Sequence, residues 1–302
     1  MFNLLTKSKS AWIIARQGRR IAMRLAGRAP LCGQLNCMSL RQDVDAVRAL
    51  TSIHEPPKLI EVDGDLQLWR IAGRDWWAPV MRPEFLDKMP KEIQMDIYGL
   101  GKLAPGSIVI DGGANIGMFA RAALDAGAAR VICFEPSPAI RKALTRNLAD
   151  VSDRVTLRDQ ALWNEEGKAL FAIPLGDAGS DQIVQGEGVR GTETGIEVPL
   201  TSIDNVVREL GLTRVDFIKL DIEGAESKAL SGASKTLVAF RPRVAIATEH
   251  TDDVLKNNRS VLDVMHSTAT RYRARCMECH AEQSDSFGGV ALTPYVLQLL
   301  AL

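Results

Sequence analysis

The segment from Ile108 to Pro136 constrains the fold of this chain more than any other part of the sequence. It reads as an apolar strand ending in Asp111, a glycine turn, a helix, and a second apolar strand ending in Glu135. This order is half of a nucleotide-binding βαβ unit, with one carboxylate at the mouth of each strand. We therefore expect a parallel sheet that binds its ligand at the carboxyl ends of the strands.

The same segment lacks the two common phosphate-binding patterns. It contains no Gly-Lys-Ser/Thr for a triphosphate and no Gly-x-Gly-x-x-Gly for a pyrophosphate. The second absence argues against a nicotinamide-dependent oxidoreductase, because that fingerprint needs its third glycine. A ligand with a ribose and a cationic end, but no phosphate, matches two carboxylates and a tight turn. S-adenosylmethionine has these features, and we predict it as the cofactor.

The formal net charge of zero hides an uneven distribution along the chain. Residues 1–42 carry eight Lys and Arg and no Asp or Glu, so the remaining 260 residues carry 29 basic and 37 acidic side chains. That body has a net charge of −8, which is not the charge of a general nucleic-acid binder. We therefore expect no nucleic-acid partner.

The basic N-terminus has an arginine pattern with more than one explanation. Residues 11–28 place Arg16, Arg20, Arg24 and Arg28 four apart among apolar side chains. This pattern is typical of an interfacial amphipathic helix or a transit peptide. An arginine stripe on a helix packed against the body explains it equally well. No run of 18 uncharged apolar residues is present, so the membrane expectation is limited to peripheral contact through residues 11–28.

The cysteines favour a reducing compartment, and neither the cysteines nor the acids have the pattern of a metal site. Five cysteines are an odd number and form no disulfide framework, so we expect a cytoplasmic, at most membrane-peripheral, location. Cys276 and Cys279 precede His280, but the absence of a second ligand pair argues against zinc. Asp221 and the acids after it could hold a divalent metal, yet no Asp-Asn ligand pair accompanies them. We predict no metal, and the oligomeric state is not indicated.

Three segments follow from the composition of the chain. We expect a basic helical extension over residues 1–56, a β-hairpin and helix cap region over 57–103, and the main domain over 104–302. From residue 107, strands and helices alternate, which predicts a parallel sheet with right-handed crossovers. The predicted main-sheet strands cover residues 107–111, 130–135, 155–162, 215–221, 243–249, 272–276 and 289–297. A long helix is predicted over 225–239 and a loop over 175–195.

A polar residue stands at the carboxyl end of each of the first five of these strands. Several carboxylates converging on one cleft are costly unless a cationic or hydrogen-bonding ligand lies among them. The residues at these ends are Asp111, Glu135, Asp159 with Gln160, Asp221 with Glu223, and Glu249 with His250.

Four ordered motifs resemble the FkbM family of S-adenosylmethionine-dependent methyltransferases, over about half of the chain. They are Asp111-Gly-Gly-Ala-Asn-Ile-Gly117, Phe134-Glu-Pro136, Asp216-Phe-Ile-Lys-Leu-Asp-Ile-Glu-Gly-Ala-Glu226 and Glu249-His250. The resemblance implies an α/β fold with the Rossmann-like class I methyltransferase sheet: seven strands, mostly parallel, with the last strand antiparallel. Here an N-terminal helical and β-hairpin extension would precede that sheet. Family members mostly methylate hydroxyl groups.

The resemblance also implies a set of cofactor-binding residues. Asp111 and the turn over 112–117 would border the methionine portion, Glu135 would bind the ribose hydroxyls, and Asp159 with a neighbour would meet the adenine. Gly112 departs from the family, whose members often carry valine there. The complete predicted set is Asp111, Gly112, Gly113, Asn115, Gly117, Glu135, Pro136, Asp159, Gln160 and Ala161.

The predicted reaction needs positioning and a base. Holding an acceptor at contact distance from a methyl group can supply about 7–11 kcal/mol, and a base adds about 10²–10⁴-fold in rate. Asp221 and His250 are the candidates for that base, and Glu249 completes the predicted catalytic set. A histidine hydrogen-bonded at a strand end is the alternative for His250. Lys219 is either a paired buried lysine or a substrate contact.

The acceptor is not fixed by the sequence. A sugar, a lipid-linked glycan or a small natural product would suit a pocket covered by the 175–195 loop and by Trp76 and Trp77, although that tryptophan pair is more typical of core packing. The alternative function is a non-catalytic, membrane-associated binding protein on a methyltransferase-like fold. The carboxylates of the cleft argue against it, since a mere binding module has no need of them.

Overall fold

The computed structural model describes residues 55–174, 182–183, 193–250, 254–268, 270–284 and 289–302, which form three β-sheets and seven α-helices. The strands are β1 Lys58–Asp63, β2 Leu66–Ile71, β3 Arg74–Pro79, β4 Ile108–Gly112, β5 Arg130–Phe134, β6 Val155–Arg158, β7 Ala161–Leu162, β8 Gly167–Pro174, β9 Gln182–Ile183, β10 Glu193–Thr201, β11 Phe217–Leu220, β12 Arg243–Ala247, β13 Tyr272–Ser284 and β14 Gly289–Ala301. The helices are α1 Pro83–Gln94, α2 Met118–Asp125, α3 Pro138–Asn147, α4 Ile203–Glu209, α5 Glu226–Ser231, α6 Ser234–Phe240 and α7 Val254–Ser267.

The central sheet has seven strands in the order β13-β14-β12-β11-β4-β5-β6. The pairs among β12, β11, β4, β5 and β6 are parallel, whereas β14 runs antiparallel to both of its neighbours. The last strand of the chain is therefore the reversed one, as the family resemblance predicts. The strand order turns back between β4 and β11, and this is where open sheets bind their ligands.

The central strands are buried on both faces because their side chains alternate between two cores. Ile110, Ile132 and Ile218 pack into the core on one face, while Val109 and Val131 pack into the core on the other. All five are almost completely buried, and each contributes about 1.5–3 kcal/mol of burial free energy. The near-continuous apolar runs that predicted these strands are typical of a sheet covered by helices on both faces.

The cap region forms a small antiparallel sheet, β1-β2-β3, followed by α1. Trp76 of β3 and Leu86 of α1 pack in one cluster with Ile116 and Ile140 of the main domain. The side chain of Asn147 fastens β3 further, since it accepts from the Trp77 amide and donates to the Trp77 carbonyl, both at 2.8 Å. The prediction that the tryptophan pair packs as core is therefore confirmed for Trp76.

The predicted third strand over residues 155–162 is wrong in one respect. It is interrupted after Arg158, and β7 leaves the central sheet to pair with β10 in a second sheet of order β7-β10-β8-β9. The polar pair Asp159-Gln160 occupies the interruption. Part of the predicted 175–195 loop is strand, in β9 and at the start of β10; residues 175–181 and 184–192 lie outside the described residues.

The single helix predicted over 225–239 is two helices, α5 and α6, separated at Gly232 and Ala233. A Cβ at Gly232 would lie 2.3 Å from the Trp163 carbonyl oxygen, so this glycine permits the close approach of two backbones. The predicted strands over 272–276 and 289–297 are longer than expected and form the hairpin β13-β14.

Several predictions fall on parts of the chain that the structure does not describe. The basic extension over residues 1–54, including the arginine pattern at 11–28, lies outside the described residues, and so do the side chains of Cys276, Cys279 and His280. Among the described residues, no helix is both long and apolar enough to span a bilayer. The division of the chain at residues 56 and 103 stays a prediction.

Candidate functional site

A cavity opens at the carboxyl ends of β4, β5, β11 and β12, with α1 forming one wall. The predicted residues that line it are Gly113, Asn115, Glu135, Pro136, Gln160, Ala161, Asp221, Glu249 and His250. The predicted residues that do not line it are Asp111, Gly112, Gly117 and Asp159. The structure therefore brings most of the predicted site together across one cavity.

The glycine turn after β4 is shaped by close backbone contacts. The amides of Gly113 and Ala114 both donate to the carbonyl of Phe134, at 3.1 and 3.0 Å. Gly113 has φ +72°, and a Cβ on it would lie 1.9 Å from the Asp221 carbonyl oxygen. Only glycine combines this φ with this contact. The turn thus lies directly against the end of β11, on the opposite side from Phe134.

Glu135 is held rigidly at the mouth of β5. Its Oε2 accepts from the amide of Asn115 and its Oε1 accepts from the amide of Ser137, each at 2.9 Å. The residue is 5% exposed and still borders the cavity. A carboxylate with two backbone donors is well ordered, and because a carboxylate oxygen can accept more than one hydrogen bond, it can also accept from ligand hydroxyls.

The interruption after β6 presents Gln160, not Asp159, to the cavity. Asp159 is exposed to solvent. The Oε1 atom of Gln160 is buried and has no hydrogen-bond partner among the described residues, so it is an acceptor that a ligand could satisfy. Ala161 beside it is buried, has a small side chain and also lines the cavity. Of the residues suggested for adenine contact, Gln160 and Ala161 have the suitable geometry.

Asp111 lies beneath the cavity floor and is paired with a lysine. It is completely buried, and its Oδ1 lies 3.3 Å from Nζ of Lys219, which also donates to the Gly113 carbonyl at 2.7 Å. Burial opposes the charge on Lys219, but Asp111 and Asp221 together raise the pKa of its ammonium. Lys219 is therefore a paired buried lysine that braces the glycine turn. Asp111 acts on the site through it.

Gly112 and Gly117 pack closely against neighbouring side chains and do not line the cavity. A Cβ at Gly112 would lie 2.8 Å from Leu162. At Gly117, which has φ +94°, a Cβ would meet Leu144 at the same distance.

His250 bridges two carboxylates at the other end of the cavity. Its Nε2 lies 2.7 Å from Oδ1 of Asp221, and its Nδ1 lies 3.1 Å from Oε2 of Glu223. Burial alone would favour neutral imidazole, but the hydrogen bonds to Asp221 and Glu223 raise the pKa of His250 to about 12. Burial opposes the charge of Asp221 too, and Lys219 and His250 outweigh it and lower the pKa of that carboxyl.

This arrangement argues against His250 as the base and favours the alternative of a histidine hydrogen-bonded at a strand end. An imidazolium with both nitrogens donating has no lone pair with which to accept a proton. Asp221 is a weak base for a different reason, because its charged form is stabilised on both oxygens. His250 contacts its Oδ1, and Tyr98 donates to its Oδ2 at 3.1 Å. In this charged state His250 and Asp221 are better suited to organising the site than to accepting a proton, and their assignment as the base stays a prediction.

Donor atoms of Asp221, Glu223 and His250 also lie within 4.8 Å of one another, a spacing that a small cation could bridge. In the structure the imidazolium itself supplies positive charge between these carboxylates. The expectation of no metal stays a prediction.

Glu249 differs from the other acids at this end of the cavity. Its Oε1 lies 3.5 Å from Nζ of Lys88, and its Oε2 is buried without a hydrogen-bond partner among the described residues. Burial raises the pKa of Glu249, and the neighbouring charges do not reverse this direction. Among the three predicted catalytic residues, Glu249 is the one whose proton affinity suits a base.

Residues of the cap that the sequence did not single out also line the cavity. Phe85, Met89 and Ile93 are spaced four apart on α1 and are half-buried, facing the cavity together with Lys88. This spacing is the signal that could have found them, because it gives α1 an apolar stripe.

Tyr98, which follows α1, is a further cap residue in the cavity wall. It lies four residues before Lys102, which is the Tyr-x-x-x-Lys spacing of the catalytic pair in some nicotinamide-dependent oxidoreductases. Lys102, however, is exposed and does not line the cavity.

Comparison with known proteins supports what the geometry indicates. The methyltransferase FkbM domain matches residues 111–273, more than half of the chain. The 2-O-methyltransferase NoeI of Sinorhizobium fredii is 28% identical over 180 residues, covering 54% of this chain and 72% of its own length. The methyltransferase sdnD of Sordaria araneosa is 27% identical over 214 residues, covering 61% and 83%.

A third relative is the 31-O-demethyl-FK506 methyltransferase FkbM of Streptomyces tacrolimicus, which is 26% identical over 180 residues, covering 51% of this chain and 68% of its own length. The domain match begins at Asp111 and includes every predicted site residue. The resemblance carried by the four motifs is confirmed: this chain belongs to the FkbM family of methyltransferases.

Proposed function

We propose that this chain transfers the methyl group of S-adenosylmethionine to a hydroxyl group of a small-molecule or glycan acceptor. The observation that carries the proposal is the buried carboxylate of Glu135, which borders the same cavity as the glycine turn and the acids of β11 and β12. One end of the cavity thus suits ribose hydroxyls, and the other contains acids suited to an acceptor hydroxyl.

The residues at the cofactor end fit S-adenosylmethionine. Glu135 would accept from the ribose hydroxyls, and the unpartnered Oε1 of Gln160 would accept from the adenine amino group. Asn115 and the Gly113 turn would border the remainder of the cofactor. The cavity wall contains Lys88 and Lys219. Lys88 contacts Glu92 and Glu249, and Lys219 is held by Asp111 and the Gly113 carbonyl, so both already have protein partners in place of a phosphate.

Bound S-adenosylmethionine supplies an electrophilic methyl group on a sulfonium sulfur. The chain's own contribution is to hold the acceptor in line and to accept the proton that its hydroxyl loses. Glu249 takes that proton on a carboxylate oxygen, because its pKa is raised by burial while His250 and Asp221 are held in their charged forms. Phe85, Met89 and Phe119 in the wall would exclude water from the acceptor end.

The choice of oxygen as the methylated atom follows from two relatives and from the charges of the site. NoeI is named a 2-O-methyltransferase, and FkbM is named a methyltransferase of 31-O-demethyl-FK506. A base with a raised pKa is useful for a hydroxyl, which must lose its proton. The apolar stripe of α1 beside these acids suits a small molecule or glycan with both polar and apolar surface.

Calorimetric titration with S-adenosylmethionine tests the cofactor assignment. The wild type is expected to bind, and Glu135→Gln is expected to weaken binding by about tenfold to a hundredfold, the loss for hydrogen bonds to a charged group. Glu209→Gln is the matched control, since Glu209 is an exposed acid outside the cavity. No binding by the wild type at millimolar cofactor would favour the non-catalytic alternative. Equal binding by the Glu135 variant would refute the ribose contact.

The acceptor is found by incubating the protein with isotopically labelled S-adenosylmethionine and fractionated cell extract. We expect label in a molecule whose methylated atom is oxygen, identified by mass spectrometry. Label on nitrogen or carbon would contradict the O-methylation proposal without affecting the cofactor assignment.

A further inference from the structure

Helix α1 brings a lysine to the candidate base from outside the family domain. α1 ends at Gln94, upstream of residue 111, where the FkbM match begins. Nζ of Lys88 lies 3.1 Å from Oε1 of Glu92 and 3.5 Å from Oε1 of Glu249. All three side chains line the cavity. A residue of the cap therefore contacts the residue that we assign as the base.

The contact leaves one half of the Glu249 carboxylate uncommitted. Oε1 lies against the lysine, whereas Oε2 has no hydrogen-bond partner among the described residues. A carboxylate anchored through one oxygen keeps a defined orientation and retains lone pairs for a proton. An unanchored glutamate would lose this orientation among its rotamers.

Charged groups face Glu249 from three elements. His250 follows it at the end of β12 and Asp221 lies at the end of β11; Lys88 and Glu92 lie on α1, and Tyr98 lies just beyond α1. Burial and Asp221 disfavour the ionised form of Glu249, and His250 and Lys88 favour it. Because His250 also pairs with Asp221 and Glu223, replacing it would disturb those carboxylates too, whereas replacing Lys88 would remove only its contacts with Glu92 and Glu249.

The placement of Lys88 is fixed by packing. Leu86, two residues before it, is completely buried in the cluster that joins the cap to the main domain. The lysine also forms an i,i+4 pair with Glu92 along the helix. These restraints hold the ammonium over the end of β12, although its side chain is about half exposed.

We propose that Lys88 is a positioning residue for methyl transfer, which holds Glu249 in the orientation and ionised form that accept the acceptor's proton. The inference rests on the proposed function through the assignment of Glu249 as the base. It gives the cap a direct part in the reaction, in addition to its role as a wall of the cavity.

The same helix offers a matched control. Lys91 forms an i,i+4 ion pair with Asp87 and does not line the cavity. Lys91→Met therefore removes one lysine and its i,i+4 ion pair from α1 and leaves Glu249 untouched. Lys88→Met also removes one lysine and its i,i+4 ion pair, and in addition it removes the contact with Glu249. Lys88→Arg keeps the positive charge beside Glu249, so its pH profile should stay close to that of the wild type.

The experiment measures methyl transfer against pH for the wild type, Lys88→Met, Lys88→Arg and Lys91→Met. For Lys88→Met we expect the acid limb of the kcat profile to move to higher pH and kcat at pH 6 to fall by about tenfold, part of what a base contributes. KM for S-adenosylmethionine should stay unchanged. Lys88→Arg should lie close to the wild type, and Lys91→Met should match it. An unshifted acid limb in Lys88→Met, or an equal shift in Lys91→Met, would overturn the proposal.

A second measurement does not depend on activity. With glutamate labelled at the side-chain carboxyl by ¹³C, the Glu249 resonance is identified by its loss in Glu249→Gln and is followed against pH. Lys88→Met should move its titration to higher pH, and an unchanged titration contradicts the proposal. If the titration moves but the wild type neither binds S-adenosylmethionine nor transfers a methyl group, the proposed function fails and the contact between Lys88 and Glu249 stands.

Discussion

The two ends of the cavity are built in different ways. At the cofactor end, the Glu135 carboxylate accepts hydrogen bonds from the amides of Asn115 and Ser137, which lie 20 and two residues away in the chain. At the acceptor end, the Asp221 carboxylate accepts a hydrogen bond from the hydroxyl of Tyr98, 123 residues away in the chain. It also pairs with His250, 29 residues away. The cofactor end is built mainly on one βαβ unit, to which Gln160 is added after β6, and the acceptor end joins the cap to two strands of the main domain.

This difference explains why a family can keep one ligand and vary another. A short unit of strand, turn and strand carries its own geometry wherever it occurs. An end assembled from separate elements changes when any one of them changes, and here the cap that contributes Lys88 and Tyr98 lies outside the matched domain. Function on a common fold resides in such assembled sites.

The junction between the two ends should be the most sensitive point of the molecule. Gly113→Ala would press a Cβ to 1.9 Å from the Asp221 carbonyl oxygen at φ +72°. We expect the free energy of unfolding to fall by at least about 4 kcal/mol, since backbone strain and overpacking act together. Denaturant unfolding measures this loss.

Gly73→Ala is the control for the backbone conformation alone. Gly73 has φ +79°, and a Cβ on it would meet no atom of the described residues within 4 Å. Its loss should be about 1 kcal/mol. Equal losses in the two variants would show that the contact between the turn and β11 does not matter.

The acceptor end depends on charge pairing. The pKa of His250 is raised to about 12 from about 6.5 in an unfolded chain. Stability from this shift is therefore complete below about pH 6.5 and is lost as pH rises toward 12. Nitrogen NMR should show a protonated His250 ring at pH 9. Asp221→Asn should lower that pKa and reduce the free energy of unfolding at pH 6 by on the order of 3 kcal/mol.

Asp216→Asn is the control for the charge change. Asp216 precedes β11 at its opposite end, and its side chain is 26% exposed, the same as that of Asp221. It should leave the His250 titration unchanged. A neutral His250 at pH 9 in the wild type would restore it as a candidate base and contradict our interpretation of the acceptor end.

The smallest expected effect separates two neighbours at the cofactor end. Gln160→Ala should weaken S-adenosylmethionine binding by about tenfold, because it removes a buried acceptor that faces the cavity. Asp159→Ala should change it less than about twofold, because Asp159 is exposed. Calorimetric titration of both variants measures the difference. The reverse order would favour the aspartate suggested by the family resemblance.

Local pattern determined most of the fold and the cofactor end. Apolar runs of three or four residues marked β4, β5 and β12, and a run interrupted by Lys219 marked β11, because strands buried on both faces need apolar side chains. Acid spacing marked Glu135 because its partners, the amides of Asn115 and Ser137, are near in the chain. The break after Arg158 was missed because β7 pairs with β10, a distant strand. The break at Gly232 was missed because it depends on the Trp163 carbonyl.

What the sequence determined by itself is the family, the sheet and the acids at the ends of its strands, since these follow from residue types at short spacing. Only the tertiary structure decided which charged partner each acid meets. Asp111 is committed to Lys219, Asp221 to His250, and Glu249 to Lys88. The physical reason is that a carboxylate's proton affinity depends on its burial and on the charges around it, and packing brings those charges from distant parts of the chain.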